Sequence, residues 1–182
     1  MTILSKNYWS IVIIVIIIII IGIVIVTYMS KRQSLEFERE EIMAYEEYLL
    51  ALTPEEVILE HFKNKMEHDI PKIKATVVDK WKGVAWEQDV VRHLEVLYIA
   101  FNEDKTEEFI KYVNNSESEW FYKKESGDDN DFPKRKVFDV TYYVEYESSL
   151  SQSSGEWDWR YYMIKISDEE PWLVEEFGSV AG

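Results

Sequence analysis

The most prominent pattern in the chain is an unbroken apolar run near its N-terminus. Residues 11–29 carry no charged side chain, and 15 of them are Ile or Val. At about 1.5 Å per helical residue the run is roughly 28 Å long, close to the hydrocarbon thickness of a bilayer. Because backbone amides in lipid must be paired within the segment, the pattern predicts a transmembrane helix after a short tail at residues 1–10. Tyr8, Trp9 and Tyr28 occupy positions typical of interfacial aromatic residues.

A cleaved signal peptide is the main alternative for this run. Signal peptides have shorter apolar regions and a small-x-small cleavage site, which is missing from residues 26–32. The sequence therefore favours an uncleaved signal anchor in a single-pass membrane protein, with the lipid bilayer as its partner. Lys31, Arg32 and Arg39 follow the span and favour a cytoplasmic C-terminal domain. Long domains cross regardless of flanking charge and the remainder is acidic, so we expect the extracytoplasmic orientation.

Polar and apolar positions alternate with helical spacing after the span. Residues 30–52 contain no Gly or Pro and predict a juxtamembrane helical stalk that continues from the membrane. One apolar stripe runs along it, formed by Leu35, Ile42, Tyr45, Leu49 and Leu52. The stripe is too short to define a coiled coil, so a docked helix and a stalk without a fixed partner both remain open.

A folded domain is predicted over residues 53–182, beginning with two helices. Thr53-Pro54-Glu55-Glu56 forms a capping box with proline at the first helical position, which predicts a helix to about Glu67. Its inward residues are predicted to be Val57, Ile58, Phe62 and Met66. Asp69 and Pro71 repeat the start signal for a helix from Lys72 to about Lys82, ended by Gly83. That helix is predicted to bury Ile73, Val77 and Trp81.

The rest of the domain shows the two-residue period of strands. The predicted strands are Leu94–Phe101, Val137–Glu147, Trp157–Ile166 and Pro171–Phe177, with a short helix at Lys105–Val113 in a polar excursion over 102–134. Helices followed by antiparallel strands predict an α+β fold in which a curved antiparallel sheet packs on helices.

Two segments carry a resemblance to a known superfamily. They are TPEEVILEHFKNKMEHDIPKI, which opens the domain, and RYYMIKISDEEPWLVEEFG, which closes it. Over residues 53–182 the chain resembles the nuclear-transport-factor-2-like, or cystatin-like, superfamily, and is similar to small uncharacterised exported domains of Gram-positive bacteria. The resemblance implies a cone of strands closed by helices, whose cavity some relatives use for catalysis and others fill. The 102–134 excursion departs from that pattern.

Charge and composition exclude several classes of function. The chain has 20 basic and 35 acidic residues, a net charge of −15, which argues against binding nucleic acid. It has no cysteine, so disulfides, thiolate zinc sites and iron–sulfur clusters are excluded. We expect no cofactor.

Candidate catalytic chemistry is sparse. Asp139 and Tyr143 share one strand face and Tyr161 lies on a neighbouring strand, which would suit proton transfer in a cone cavity. That strand face alternates with a more apolar one, so we expect it to face solvent and expect no catalytic site. A ketosteroid-isomerase-like enzyme remains the alternative.

Metal sites are not expected either. The histidines are His61, His68 and His93; the first two are about two helical turns apart, too far for one zinc, and all three are expected at the surface. The acidic loop at 128–131 lacks the glycine and distal glutamate of a calcium loop. A basic stretch, expected to balance nearby glutamates, comprises Lys63, Lys65, Lys72, Lys74, Lys80 and Lys82.

Aromatic residues are the most suggestive surplus. Tyr142, Trp157, Trp159 and Tyr161 lie on strands expected to pair, where they either fill the interior or form a pocket or binding platform. Arg160 lies beside these rings as a candidate cation–π partner. We therefore expect a non-catalytic binding or interaction module with an unidentified membrane or cell-wall partner and an undetermined oligomeric state. A cytoplasm-facing membrane scaffold is a further alternative.

Overall fold

A computed structural model describes the backbone of residues 3–84, 91–122, 133–147 and 154–179. The side chains of residues 3–15, 17 and 18 lie outside the described residues. The chain divides into two compact units, residues 1–43 and 44–182. We describe each unit by itself.

The first unit is helical. It holds most of α1, which runs without a break over Ile3–Leu50 and confirms the predicted helical continuation into the stalk. Arg32 and Glu36 form an exposed ion pair one turn apart, with Nε and Oε1 separated by 2.9 Å. Within the described residues no helix is both long and apolar enough to cross a membrane. Much of the predicted span at 11–29 lies outside those residues, because the side chains of 11–15, 17 and 18 are not described.

The second unit begins with the last turns of α1. Tyr45 and Leu49, two members of the predicted stripe, are buried there, whereas Leu35 is exposed in the first unit. The Tyr45 hydroxyl accepts a hydrogen bond of 2.6 Å from Asn64 Nδ2, which ties α1 to the next helix. Burial raises the pKa of the Tyr45 hydroxyl to about 12, so it stays protonated.

Helix α2 spans Pro54–Glu67 and confirms the capping box. The Thr53 hydroxyl accepts the Glu56 amide at 3.3 Å, and the Glu56 carboxylate accepts the Thr53 amide at 2.7 Å. Two expectations for this helix are wrong: Met66 is exposed, and His61 is buried instead of lying at the surface. His61 is buried because it lies four and three residues after Val57 and Ile58 and so shares their helix face. Met66 lies in the last turn of the helix, beside the exposed Glu67 and His68.

The predicted second helix is broken into two. Helix α3 covers Ile70–Ala75, and Asp69 caps it as predicted, while α4 covers only Asp79–Lys82. Between them the chain is extended, since the Val78 amide donates to the Val174 carbonyl at 3.1 Å and the Val174 amide donates to Thr76 at 2.9 Å. The β-branched run 76–78 favours this bridge over a continued helix.

The four strands form one antiparallel sheet in the order β1-β2-β3-β4. They cover Val91–Phe101, Lys134–Tyr146, Gly155–Lys165 and Leu173–Ser179, and helix α5 (Glu103–Asn115) joins the first two. The α+β class and the four predicted strands are confirmed.

Each face of the sheet carries its own hydrophobic cluster. On the inner face Phe138, Val140 and Tyr142 of β2 pack with α2 and the end of α1. On the outer face Val137 packs with Phe109 and Val113 of α5. From Phe138 to Glu145 buried and partly buried residues alternate, as the two-residue period of a strand requires and as predicted for that segment.

Candidate functional site

A cavity of about 490 Å³ lies between α4 and the segment that follows α5. Its lining residues define the aromatic groove: Val78, Lys80, Glu119, Trp120, Phe121 and Tyr122. Trp120 is 71% exposed and Tyr122 is 38% exposed. Large exposed aromatic rings around a concave surface are typical of recognition sites, because they offer contact area at a small entropic cost.

Two turns, each closed by a hydrogen bond to a serine hydroxyl, lead from α5 to Trp120. After α5 ends at its cap Ser116, the Ser118 amide donates to the Ser116 hydroxyl at 3.1 Å. The Trp120 amide then donates to the Ser118 hydroxyl at 3.2 Å. Such side-chain turns hold the backbone out of helical geometry, so the indole projects from a fixed loop.

Phe121 anchors this loop to the domain. Its ring centroid lies 5.7 Å from that of Phe109, edge to face, and 5.8 Å from that of Tyr112. Phe121 thus belongs to the outer-face cluster, whereas the residues on either side of it point into the groove region. Of the three consecutive aromatic residues, Phe121 therefore packs against the domain, while Trp120 and Tyr122 remain exposed in the groove.

Lys80 supplies a positive charge at the groove wall. Its Nζ lies 4.8 Å from the centroid of Phe121 and 5.4 Å from that of Trp81. The same atom pairs with Glu176 Oε2 at 3.0 Å. Glu176 and the two rings hold the Lys80 ammonium group in place, and its other N–H groups can donate to a ligand.

A buried ion pair supports the loop from behind. Arg135 binds Glu175 through two contacts, Nε to Oε2 at 2.7 Å and Nη2 to Oε1 at 2.9 Å, and neither side chain is more than 4% exposed. Arg135 Nη2 also donates to the backbone carbonyl of Tyr122. This bidentate pair connects β2, β4 and the groove loop, and burial makes its geometry demanding.

The groove offers hydrogen-bonding groups beside its apolar rings. Partial burial raises the pKa of the Tyr122 hydroxyl, and Asp79 adds to the shift, so the phenol is a neutral hydrogen-bond donor. Glu119 is exposed at the rim. Apolar rings with a few hydrogen-bonding groups are the usual composition of a ligand site.

The four aromatic residues singled out from the sequence lie on the inner face of the sheet. Tyr142 and Tyr161 are only 4% and 2% exposed and belong to the inner-face cluster, and Trp157 and Trp159 pack partly buried against it. Burial raises the pKa of both tyrosine hydroxyls well above the usual value. Trp159 Nε1 is buried and has no acceptor among the described residues. The structure thus places these rings in or against the core, away from the groove.

His61 occupies the same interior. It is 1% exposed, and its Nδ1 lies 2.8 Å from the Thr76 hydroxyl, which itself donates to the Ile73 carbonyl at 2.7 Å. Desolvation, reinforced by the charge of Lys65, lowers the pKa of His61 to about 3. The ring is therefore neutral at physiological pH, and its contact with Thr76 links α2 to the 73–76 segment.

The residues considered for proton transfer do not converge. Asp139 lies on the outer face, where its carboxylate accepts from Arg160 Nε at 2.8 Å and from Asn102 Nδ2 at 2.6 Å. Tyr161 lies on the inner face opposite Phe138. The Tyr143 hydroxyl donates to Glu145 at 3.1 Å. Asp139 and Tyr161 therefore lie on opposite sides of the sheet, and Arg160 is engaged in an ion pair.

Four of the six lysines of the basic stretch balance nearby acids, as expected. Ion pairs join Lys63 to Glu60, Lys72 to Asp69, Lys80 to Glu176 and Lys82 to Asp79.

His93 is exposed as expected, and so is His68, which caps α2 in the left-handed conformation. Within the described chain no group of histidine and carboxylate side chains is arranged to hold a metal. The acidic loop at 128–131 lies outside the described residues.

Sequence reasoning named Lys80 only as part of the basic stretch and missed the aromatic side of the groove. The signal was present in the tetrapeptide Glu119-Trp120-Phe121-Tyr122, three consecutive aromatic residues within a polar excursion. A run of this kind in a loop, where no strand or helix period explains it, favours display over packing.

Comparison with known proteins places the chain in a family. The family described as a domain of unknown function, DUF4829, matches residues 55–178, and the chain belongs to it. No curated protein and no solved structure matches the chain.

Proposed function

We propose that this chain is a single-pass membrane-anchored protein that presents a non-catalytic binding domain on the outer face of a bacterial cytoplasmic membrane. The aromatic groove is its ligand-binding surface. The observation that carries this proposal is the contrast between Trp120, exposed in a concave surface, and the strand aromatics Tyr142, Trp157, Trp159 and Tyr161, which pack in or against the core. An exposed indole in a concave surface beside a lysine offers a large contact area and a hydrogen-bond donor to a ligand.

The anchor is supported by the sequence of residues 11–29 and by the surface of the helical segment. The side chains from Ile19 to Val26, apart from Gly22, are exposed along α1, and water disfavours so continuous an apolar surface. A bilayer would cover it. A nuclear-transport-factor-2-like cone stays part of the proposal, supported by helices that pack on one face of an antiparallel sheet.

We infer that the ligand is a glycan. The flat face of a sugar ring can stack on the Trp120 indole, and its hydroxyl groups can meet Glu119, Lys80 and the Tyr122 phenol around the rim. The proposed orientation places the groove beside the cell wall, and tethering raises its local concentration there, so modest affinity suffices.

Calorimetric titration of the full chain in neutral detergent with tetra-N-acetylglucosamine tests the groove. We expect saturable binding that Trp120→Ala weakens by at least about 30-fold, the usual effect of removing a central aromatic contact. Phe37→Ala removes another exposed ring, on α1 and not among the residues that line the groove, and should leave the affinity unchanged. No binding by the unaltered chain, or equal loss in both variants, would contradict the assignment.

Two further experiments test placement. Alkaline carbonate washing of membranes should leave the full-length chain in the pellet, and protease treatment of intact cells should remove the domain. A washed-out chain would overturn the anchor. Full protection in intact cells would favour the cytoplasm-facing scaffold instead.

A further inference from the structure

The two edges of the sheet differ in how they are closed. The β4 edge is covered, because Val77 bridges Val174 and hydrogen bonds join the extended 76–78 segment to that strand. Strand β1 pairs only with β2 among the described residues, so its second edge has no backbone partner there. An unpaired edge of eleven residues is a ready template for another strand.

The pairing geometry identifies the backbone groups that face outward. The Asn102 amide donates to the Val137 carbonyl at 2.8 Å, so residue 102 points its backbone groups toward β2. In an antiparallel pair these groups alternate along the strand. Phe101 and Ile99 therefore direct their amides and carbonyls to the free side, while Ala100 directs its own to β2.

The same edge exposes apolar side chains. Leu97 and Phe101 are each 48% exposed, and Tyr98 is 59% exposed. Leu97 lies in a bulge between Val96 and Tyr98, which turns its side chain out of the regular alternation. Edge strands that avoid association usually carry charge at such positions.

Charge on the outer face selects the partner. Glu95 of β1, Glu145 of β2, and Glu156 and Asp158 of β3 lie on that face, and no lysine or arginine pairs with them among the described residues. The Tyr143 and Thr141 hydroxyls donate to Glu145 and Asp158, and the His93 Nε2 lies 3.9 Å from Glu95. A second copy would bring a net charge of −15 against −15, so self-pairing is disfavoured.

We propose that the free edge of β1 binds an extended basic segment of a partner protein by β-strand addition. Main-chain hydrogen bonds form to Ile99 and Phe101. Basic side chains of the added strand lie beside Glu95 on the outer face, and its apolar side chains cover Leu97 and Phe101. This mode combines backbone affinity with charge specificity, and it uses a surface separate from the aromatic groove.

Amide hydrogen exchange of the full chain in neutral detergent tests the edge with a seven-residue peptide of alternating lysine and valine. We expect exchange at Ile99 and Phe101 to slow at least about 10-fold at saturation, because both amides gain acceptors. Ala100 already donates to β2 and should change less. The same peptide with N-methylated backbone, and a glutamate–valine peptide, should have no effect.

Charge reversal supplies the matched variants. Glu95→Lys should weaken lysine–valine binding about 2- to 10-fold, whereas Glu169→Lys, in the exposed turn before β4, should not. Trp120→Ala should leave edge binding intact, which separates this proposal from the groove. Unchanged exchange with the peptide would overturn the proposal, and slowing that depends on protein concentration alone would identify a second copy as the occupant.

Discussion

The inner face of the sheet and the aromatic groove use the same residue types for opposite purposes. On the inner face Tyr142 and Tyr161 lie within 4.8 and 5.4 Å of the Phe62 ring centroid, in a cluster closed to water. In the groove Trp120 contributes its ring to a surface. The comparison shows that aromatic content alone does not predict whether a ring is buried or exposed. Rings on the inner face of the sheet pack in the core, whereas Trp120, in a loop, stays in solvent.

The largest effect should come from emptying the inner cluster. Phe62→Ala leaves a cavity under Tyr142 and Tyr161, and we expect the free energy of unfolding to fall by about 3–5 kcal/mol. Urea unfolding of the full chain in neutral detergent, followed by near-ultraviolet circular dichroism, measures it. Phe37→Ala, on the exposed surface of α1, should cost less than about 0.5 kcal/mol. Equal losses in the two variants would contradict the burial described for Phe62.

Breaking the buried Arg135–Glu175 ion pair should give the second-largest loss in the free energy of unfolding. Glu175→Gln leaves Arg135 buried without its carboxylate, and we expect a loss of about 3 kcal/mol in the free energy of unfolding. The neighbouring Glu176→Gln replaces a partner of Lys80 whose side chain is one-third exposed, and it should cost less than about 1 kcal/mol. Denaturant midpoints of the two variants provide the test, and a reversal of their order would refute the structural role given to Arg135.

Acid should weaken the inner face through His61. The folded-state pKa of about 3 lies below the unfolded value of about 6.5, so the unfolded chain binds the extra proton in that window. Stability is therefore full above pH 6.5 and falls as pH drops toward 3. Between pH 6.5 and 4.5 this group alone should remove about 2 kcal/mol.

The variant His61→Gln isolates that contribution from those of the carboxylates. Its unfolding free energy should depend on pH less steeply than that of the unaltered chain between pH 6.5 and 4.5. His93→Gln, at an exposed position, should preserve the original dependence. Parallel curves for the unaltered chain and His61→Gln would show that the ring is solvated.

The smallest effect on stability belongs to the groove. Trp120→Ala should change the free energy of unfolding by less than about 0.5 kcal/mol, because the indole is mostly in water. The same urea titrations measure this. A loss above about 2 kcal/mol would mean that the ring packs like those of the inner face, and the comparison between the two regions would fail.

The sequence correctly predicted those features that depend on interactions between residues close together in the chain. The Thr53 capping box, the helix over residues 31–50 and the alternation along β2 all depend on spacings of a few residues. These signals also gave the α+β class. The groove as a whole does not follow from such spacing, because Lys80 and the run 119–122 line one cavity only through the packing of two distant segments.

The sequence by itself determined the N-terminal helix, the start of α2 at the Thr53 capping box and the order of helices and strands. Tertiary structure decided which residues became interior. His61 is buried because it shares a helix face with Val57 and Ile58. The 76–78 segment is extended instead of helical because it forms hydrogen bonds with Val174. Tertiary structure also left Trp120 in solvent. Burial and long-range hydrogen bonding depend on what the rest of the chain places nearby, which no local pattern contains.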